Sequence, residues 1–374
     1  MKIGILTLSA SDNCGSLLQA FALQETIIKH ITDNVEIIDL RTKQSEHIYR
    51  IIPLNPMKEK RRFLHGLFHY HLLKKQKDIY ENFRKKHLKL TDYKYKTIND
   101  LKEKAAYDIL VVGSDQVWNV CMYDFSNAYF LGWTDNNTRK ISYAASLGGH
   151  FINESKDFEQ IKKWLRDFSA VSIRESFTQE KLSKLIGREV EVLLDPTLLI
   201  KPEQYKKIAG KRLINDDYIF YYSWSYNNDE INRTVKAFSD KYKIPVYVIN
   251  FSKWFKYKPR QYGFKFIPEI TGPIGFLNLM INSRYSLVQS FHGVVFSYIF
   301  NKDFWFLDDV PEERMDKRLA NILTLLNAKD RVIRNIQDVE KITDKHFDYS
   351  KSLTEINRLR EHSIDFLKKA LNRE

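Results

Sequence analysis

The sequence predicts an α/β protein of two successive units, each a parallel sheet wrapped in helices, on three observations. Short continuous apolar runs alternate with stretches of helical periodicity, the pattern of strands buried on both faces. Polar clusters consistently follow the strands, as at Gly113-Ser114-Asp115 and Ser290-Phe291-His292-Gly293. The pattern then restarts after Pro202, past a boundary near Pro196 to Gln204, and 374 residues exceed what one hydrophobic core usually supports.

The first unit is expected over residues 1–200. Lys2 to Leu8 reads as a buried strand, Gly15 to Lys29 as a helix with Leu17, Leu18, Phe21, Ala22 and Ile28 on its apolar side, and Val35 to Leu40 as a second strand, which together make one βαβ element. A basic, aromatic-rich helical insertion follows at about 57–90. Tyr107 to Val112 and Lys140 to Ala145 read as strands ending in polar or glycine-rich turns. Glu159 to Phe168 reads as a helix, Ala170 to Ile173 as a strand ending in Arg174-Glu175, Phe177 to Ile186 as a helix, and Glu191 to Leu194 as a strand running into Asp195-Pro196-Thr197.

The second unit is expected over 201–345. Strands are predicted at Tyr218 to Ser223, Val246 to Phe251, Tyr285 to Val288 and Phe304 to Leu307, with helices at Asp229 to Tyr242, Ile274 to Asn282, Val294 to Phe300 and Met315 to Leu326. A final segment, 346–374, holds a helix from Thr354 to Leu371 that can pack back on the N-terminal unit. No internal repeat or low-complexity tract interrupts this order.

Composition narrows the function classes. Hydrophobic residues at 43% and aromatics at 14% exclude general disorder. The longest apolar runs fall far short of the roughly 20 residues that cross a bilayer. The N-terminal apolar stretch is shorter than most signal cores, and two cysteines, Cys14 and Cys121, give neither a disulfide framework nor a metal-binding spacing. A cytoplasmic protein without a bound metal is expected. The net charge of +13 favours an acidic partner, and between Met57 and Leu90 eleven cations face three carboxylates. That stretch can dock on an anionic membrane face, or be a solvated helical pair whose aromatics fill the domain. No nucleic-acid reading motif accompanies it, so no nucleic acid is expected.

In open α/β sheets ligands bind outside the carboxyl ends of the strands, so the polar clusters converge on one rim. His292 falls at a helix N-terminus, where backbone N–H groups and the positive dipole end gather anions. Its free pKa near working pH makes it the leading acid/base candidate. Asp115 can bind or activate a hydroxyl, or with Ser114 cap the following turn. Gly15 and Ser16 can let the backbone approach a ligand, or Asn13 to Ser16 can be an ordinary helix cap. Trp118, Tyr143 and Trp224 can stack on a sugar ring or fill the core. Asp308-Asp309 lacks further ligands nearby and reads as a solvated turn. No Gly-x-Gly-x-x-Gly is present, so a dinucleotide is not expected.

Six segments in order resemble the polysaccharide pyruvyl transferase family: Asn13-Cys14-Gly15-Ser16-Leu17-Leu18-Gln19-Ala20, Val112-Gly113-Ser114-Asp115-Gln116-Val117-Trp118-Asn119, Ser142-Tyr143-Ala144-Ala145-Ser146-Leu147-Gly148, Ser172-Ile173-Arg174-Glu175, Leu194-Asp195-Pro196-Thr197-Leu198-Leu199 and Ser290-Phe291-His292-Gly293. The resemblance implies two Rossmann-like domains facing across a cleft, a GT-B-like arrangement with the active site between them. It implies transfer of the enolpyruvyl carbons of phosphoenolpyruvate, as co-substrate and with no other cofactor, onto two hydroxyls of a sugar or lipid-linked oligosaccharide in a capsular, exopolysaccharide or cell-wall precursor. Catalytic roles then fall to His292, Asp115 and Arg174, the last anchoring phosphate or carboxylate or pairing with Glu175. Substrate contacts fall to Asn13, Gly15, Ser16, Ser114, Trp118, Asn119, Tyr143, Glu175, Ser290 and Gly293. Some members carry arginine two residues before the histidine. This chain has Ser290 there, after Gln289, so the phosphate-binding charge is sought at Lys253, Lys256 or Arg260. A GT-B glycosyltransferase using a nucleotide sugar and a non-catalytic glycan-binding relative are the alternatives.

Overall fold

The computed structural model describes residues 1–135, 137–223, 226–249, 259–343 and 346–372. They divide into two compact units, one of Met1–Phe68, Glu81–Ile200 and Asn357–Glu374, the other of His69–Tyr80 and Lys201–Ile356. Twelve residues of the basic stretch thus group with the second unit, and most of the last helix with the first.

In the first unit, strands β1 (Ile3–Leu6), β2 (Val35–Ile37), β3 (Ile109–Val112) and β4 (Arg139–Ser142) form a sheet of order β2-β1-β3-β4, every pairing parallel. A parallel pair, β5 (Ser172–Ile173) and β6 (Glu191–Val192), continues it beside β4 through bridges Ile141↔Ala170 and Ala145↔Ile173. All residues of β1 and β3 are buried, which is why both read as unbroken apolar runs. β4 ends three residues before the run of small and apolar residues does, because Ala144 turns into the left-handed region at φ 46° and breaks the ladder. The helix Cys14–His30 is buried nearly all round along its first fourteen residues, including Gln19, Gln24 and Thr26.

The basic stretch is helical, over Lys60–Phe68 and Tyr70–His87. Its charge is not all solvated. Arg84 is 1% exposed, donates to the carbonyls of Ser9 and Ser11 at 2.8 and 2.6 Å, and pairs with Asp12 and Glu81.

In the second unit, β7 (Ile219–Tyr222), β8 (Val246–Val248), β9 (Lys265–Phe266), β10 (Tyr285–Val288), β11 (Asp303–Leu307) and β12 (Val332–Ile333) run parallel in the order β12-β11-β10-β7-β8-β9. Counted within the unit this is 3-2-1-4-5-6, the doubly wound order. β7 and β10 pair in register from Ile219↔Tyr285 to Tyr222↔Val288. Their flanking core is aromatic: Phe276 packs on Phe220, Tyr222 and Phe296 at ring separations of 5.8, 4.7 and 5.3 Å. No described helix is long and apolar enough to cross a membrane.

Candidate active site

Each sheet has a point where the strand order reverses, and there the carboxyl ends of two neighbouring strands open a crevice. In the first unit that point lies between β1 and β3. Asn13 caps the helix that follows β1: its Oδ1 accepts the N–H groups of Gly15 and Ser16 at 2.9 and 3.3 Å. The first turn of that helix carries no acidic residue, so its dipole end is not neutralised by its own side chains. Ser16 donates its hydroxyl to Asp115 Oδ2 at 2.5 Å, across 99 positions of sequence. Gln19 donates to Thr7 Oγ1 at 2.8 Å and accepts the Ser114 N–H at 3.0 Å, tying the ends of β1 and β3 together.

The turn after β3 has its own constraints. Gly113 holds φ at 128°, and a Cβ there would lie 2.1 Å from the Tyr143 carbonyl oxygen, so no other residue fits. Asp115, itself at φ 56° and 6% exposed, accepts the Gln116 N–H at 2.8 Å. Ser114 donates its hydroxyl to the Ala144 carbonyl and reaches Asp195 Oδ2 at 3.3 Å.

Arg174 does not stand open as an anion clamp. It is 5% exposed; Nε donates to Glu175 Oε1 at 3.0 Å and an Nη to Asp195 Oδ2 at 2.9 Å. Burial opposes its charge, yet the carboxylates of Glu175, Asp195 and Asp115 outweigh burial and hold the guanidinium above its ordinary range. Asp195 in turn accepts the Thr197 N–H and hydroxyl at 3.0 and 2.7 Å. Arg174 and Glu175 therefore act as a brace behind Ser114, and the bidentate anion grip is replaced by a buried ion-pair triad.

Two of the aromatic residues are core. Trp118, 1% exposed, stacks on Phe130 and donates its indole N–H to the Tyr129 carbonyl at 3.1 Å. Tyr143 is wholly buried, with its hydroxyl on the Leu194 carbonyl at 2.9 Å, and burial raises that phenol well above its usual range. Neither presents a face to a sugar. Asn119 braces the loop after Asp115, donating to Gln116 Oε1 at 2.8 Å. Trp224 lies outside the described residues.

Gln19, Asp195 and Arg84 belong to this assembly, and sequence reasoning gave them no role. A glutamine on the apolar side of a helix was a signal for the first. Arg84 carried none, because Arg84-Lys85-Lys86 looks like any solvated basic run.

In the second unit the corresponding point lies between β7 and β10. Gln289 N–H continues the pairing to the Tyr222 carbonyl at 2.9 Å, and its side-chain oxygen accepts the Tyr221 hydroxyl at 3.2 Å. Ser290 then caps the helix Phe291–Ile299, accepting the Gly293 N–H at 3.0 Å. A Cβ on Gly293 would meet Val288 Cβ at 2.8 Å and Ser290 Oγ at 3.0 Å, so glycine lets the helix start hard against β10. His292 is the second residue of that helix and half-buried, with its ring 5.3 Å from Phe291. No acidic residue occupies the first turn. Lys253 and Lys256 lie outside the described residues; Arg260 is exposed on the turn Pro259–Tyr262.

Asp308 corrects the expectation of a solvated turn. It is 5% exposed, burial raises its carboxyl, and Arg334 lies 3.6 Å away. Among the described residues the side chains that could jointly hold a metal ion are instead Cys121, His150 and Glu154.

Comparisons bear on this geometry. A sequence model of the family described as polysaccharide pyruvyl transferase matches residues 13–309. No curated protein matches the chain significantly. Among solved structures, the chain is similar to UDP-N-acetylglucosamine 2-epimerase from Rickettsia bellii, at 12% identity over 98% of this chain and 97% of that one, with a TM-score of 0.56. It is similar to UDP-GlcNAc 2-epimerase from Neisseria meningitidis bound to UDP-GlcNAc, at 12% identity over 99% of each chain and a TM-score of 0.54. It also resembles the Methanocaldococcus jannaschii UDP-GlcNAc 2-epimerase, at 14% identity over 97% of this chain and 100% of that one, with a TM-score of 0.52. Likeness at this identity shows the fold: α/β, Rossmann-like and GT-B-like.

Proposed function

The chain belongs to the polysaccharide pyruvyl transferase family, and from that premise we propose that it moves the enolpyruvyl group of phosphoenolpyruvate onto two hydroxyls of a sugar in a cell-surface glycan precursor. One hydroxyl oxygen bonds to C2 of the donor while C3 gains a proton. The second hydroxyl oxygen then bonds to C2 as the C2–O bond to phosphate breaks. The two hydroxyl protons end on C3 and on phosphate, leaving a pyruvate ketal.

The observation that carries this reading is that the family segments at Asn13, Val112 and Ser290 fall, within each unit, at the point where strand order reverses. His292, presented at a helix N-terminus beside the Ser290 cap, serves one of the proton transfers. The positive dipole end of that helix, with no acidic residue in its first turn, favours an anionic donor. Asp115, aimed by the Ser16 hydroxyl, binds and activates an acceptor hydroxyl. Arg174 acts through Asp195 and Ser114 as a positioning residue.

A cytoplasmic setting at the inner face of a membrane fits the same reading, since the acceptors expected for the family ride on lipid carriers. Leu64, Leu67 and Phe68 are exposed at helical spacing on Lys60–Phe68, with exposed Met57, Lys60 and Arg61 beside them. Such a strip suits an anionic bilayer surface.

The test incubates the purified chain with phosphoenolpyruvate and candidate lipid-linked or free oligosaccharides. Phosphate release matched by acceptor mass gain supports the assignment. Turnover of a UDP- or GDP-sugar with no response to phosphoenolpyruvate overturns it in favour of a glycosyltransferase.

A further inference from the structure

The loop that begins at Asp115 runs into a second cluster of chemistry-bearing side chains. Cys121 follows the Asn119 turn, while His150 and Glu154 bracket the start and end of the short turn of helix Ile152–Glu154. Cys121 Sγ lies 3.2 Å from Glu154 Oε2, and His150 Nδ1 lies 3.0 Å from the same oxygen. One ligand atom from each of the three falls within 4.8 Å of the others. We propose that Cys121, His150 and Glu154 bind a zinc-type divalent cation through thiolate, imidazole and carboxylate, at a site that does not depend on the transferase reading.

The spacing is close to what coordination needs. Bond lengths of about 2.3 Å to sulfur and about 2.0–2.1 Å to nitrogen and oxygen, at tetrahedral angles, set sulfur about 3.6 Å and nitrogen about 3.3 Å from the carboxylate oxygen. The present gaps fall short by a few tenths of an ångström, within reach of small side-chain rotations. The S–H now points at an oxygen that would share the ion. On binding, the thiol gives its proton to solvent, the imidazole enters neutral, and thiolate and carboxylate together balance the two positive charges.

Hydrogen bonds from outside the ligand set already hold the backbone at Cys121 and His150 and the carboxylate of Glu154. Cys121 N–H donates to Asn119 Oδ1 at 3.1 Å, and Asn119 is itself held by Gln116. Phe151 N–H donates to Glu154 Oε1 at 3.1 Å, which leaves Oε2 to face the cysteine and histidine. The backbone N–H of His150 donates to the Leu147 carbonyl at 3.3 Å and fixes the turn that carries the ring. Ligating carboxylates are supported as Glu154 is here, and such partners matter for affinity. A sulfur and a nitrogen in the set select zinc or cobalt over magnesium or calcium, which prefer oxygen. All three residues are exposed, so an ion has an entry path and a fourth position stays open for water. Bound there, it would fasten the loop after Asp115 to the turn 147–154.

Cobalt(II) titration of the full chain, freed of metal, tests the proposal. A thiolate-to-cobalt charge-transfer band with tetrahedral visible bands, saturating at one equivalent and displaced by zinc, is expected. Cys121→Ser abolishes the charge-transfer band, while His150→Ala and Glu154→Gln each weaken binding by at least about tenfold; Cys14→Ser leaves the spectrum unchanged. Far-ultraviolet circular dichroism checks that each variant is folded, and His150→Ala, which keeps the thiol, serves if Cys121→Ser is not. A missing band, or a band of equal strength in Cys121→Ser or in His150→Ala, overturns the site.

Discussion

The two strand-order reversals are both parallel strand ends followed by a capped helix, yet they are built by opposite means. Between β1 and β3 the turns are cross-braced by buried polar groups: Thr7, Gln19, Ser114, Asp195, Arg174 and Glu175 form one chain, and Ser16 with Asp115 another. Between β7 and β10 the support is mainly apolar and carries no buried ion pair: one hydroxyl cap, one glycine, the Tyr221–Gln289 hydrogen bond and the aromatic cluster around Phe276 present a single imidazole, as far as the described residues go. The first arrangement fixes several oxygens in place at the expense of buried charge. The second presents one half-buried imidazole at a helix end.

The contrast predicts where substitutions act. The largest effect is expected from Arg174→Met, which leaves Glu175 and Asp195 buried without their cation and lowers stability by about 3–5 kcal/mol. Urea unfolding followed by tryptophan fluorescence checks it, and a loss below about 1 kcal/mol would mean the triad is no brace. His292→Ala should do the reverse: turnover with phosphoenolpyruvate falls roughly a hundredfold or more while the urea midpoint barely moves. Near-normal turnover would remove His292 from the chemistry. Ser290→Ala removes the cap of the same helix and is expected to cost about 1 kcal/mol, with Ser290→Asn restoring most of it. Equal stability of the two variants would show that the Gly293 N–H finds another acceptor.

The smallest effect is a pH slope in the first unit. Burial and the neighbouring Lys86 lower His87 below its ordinary 6.5, and the ring packs 4.9 Å from Phe83. The unfolded chain therefore takes up that proton first as pH falls, so the stability His87 contributes is present above 6.5 and declines through and below it. Urea midpoints measured between about pH 7.5 and 5.5 should fall, and His87→Gln should flatten that fall. An unaltered slope in the variant would assign the sensitivity to other groups.

The strands were legible because parallel strands covered on both faces are written as continuous apolar runs. Tyr285–Val288 and the helix Asp229–Tyr242 occur with the bounds their residues predict. Lys43–Tyr49, Pro202–Ala209 and the edge strand Lys265–Phe266 were not anticipated, being short and without an apolar run of their own. Ser16, Asp115, Ser290 and His292 were visible as polar residues just beyond strands. What the sequence hid was pairing at a distance: Arg174 meets Asp195 across 21 positions, Arg84 meets Ser9 across 75, and Ser114 meets Gln19 across 95. An arginine or a tryptophan has the same letter in a pocket and in a core, so Arg174 and Trp118 looked like ligand contacts until their neighbours were known.

Residues 357–374 belong to the first unit, where Ser363 accepts the Leu194 N–H at 3.2 Å and Arg360 donates to the Leu198 carbonyl at 2.6 Å. The first unit is therefore completed by residues made after nearly all of the second unit. Until residues 357–371 are made, Leu194 and the strands beside it stay uncovered, so a growing chain must hold an unfinished hydrophobic surface through the synthesis of the whole second unit. A fragment stopped at Ile200 would inherit the same exposed surface permanently.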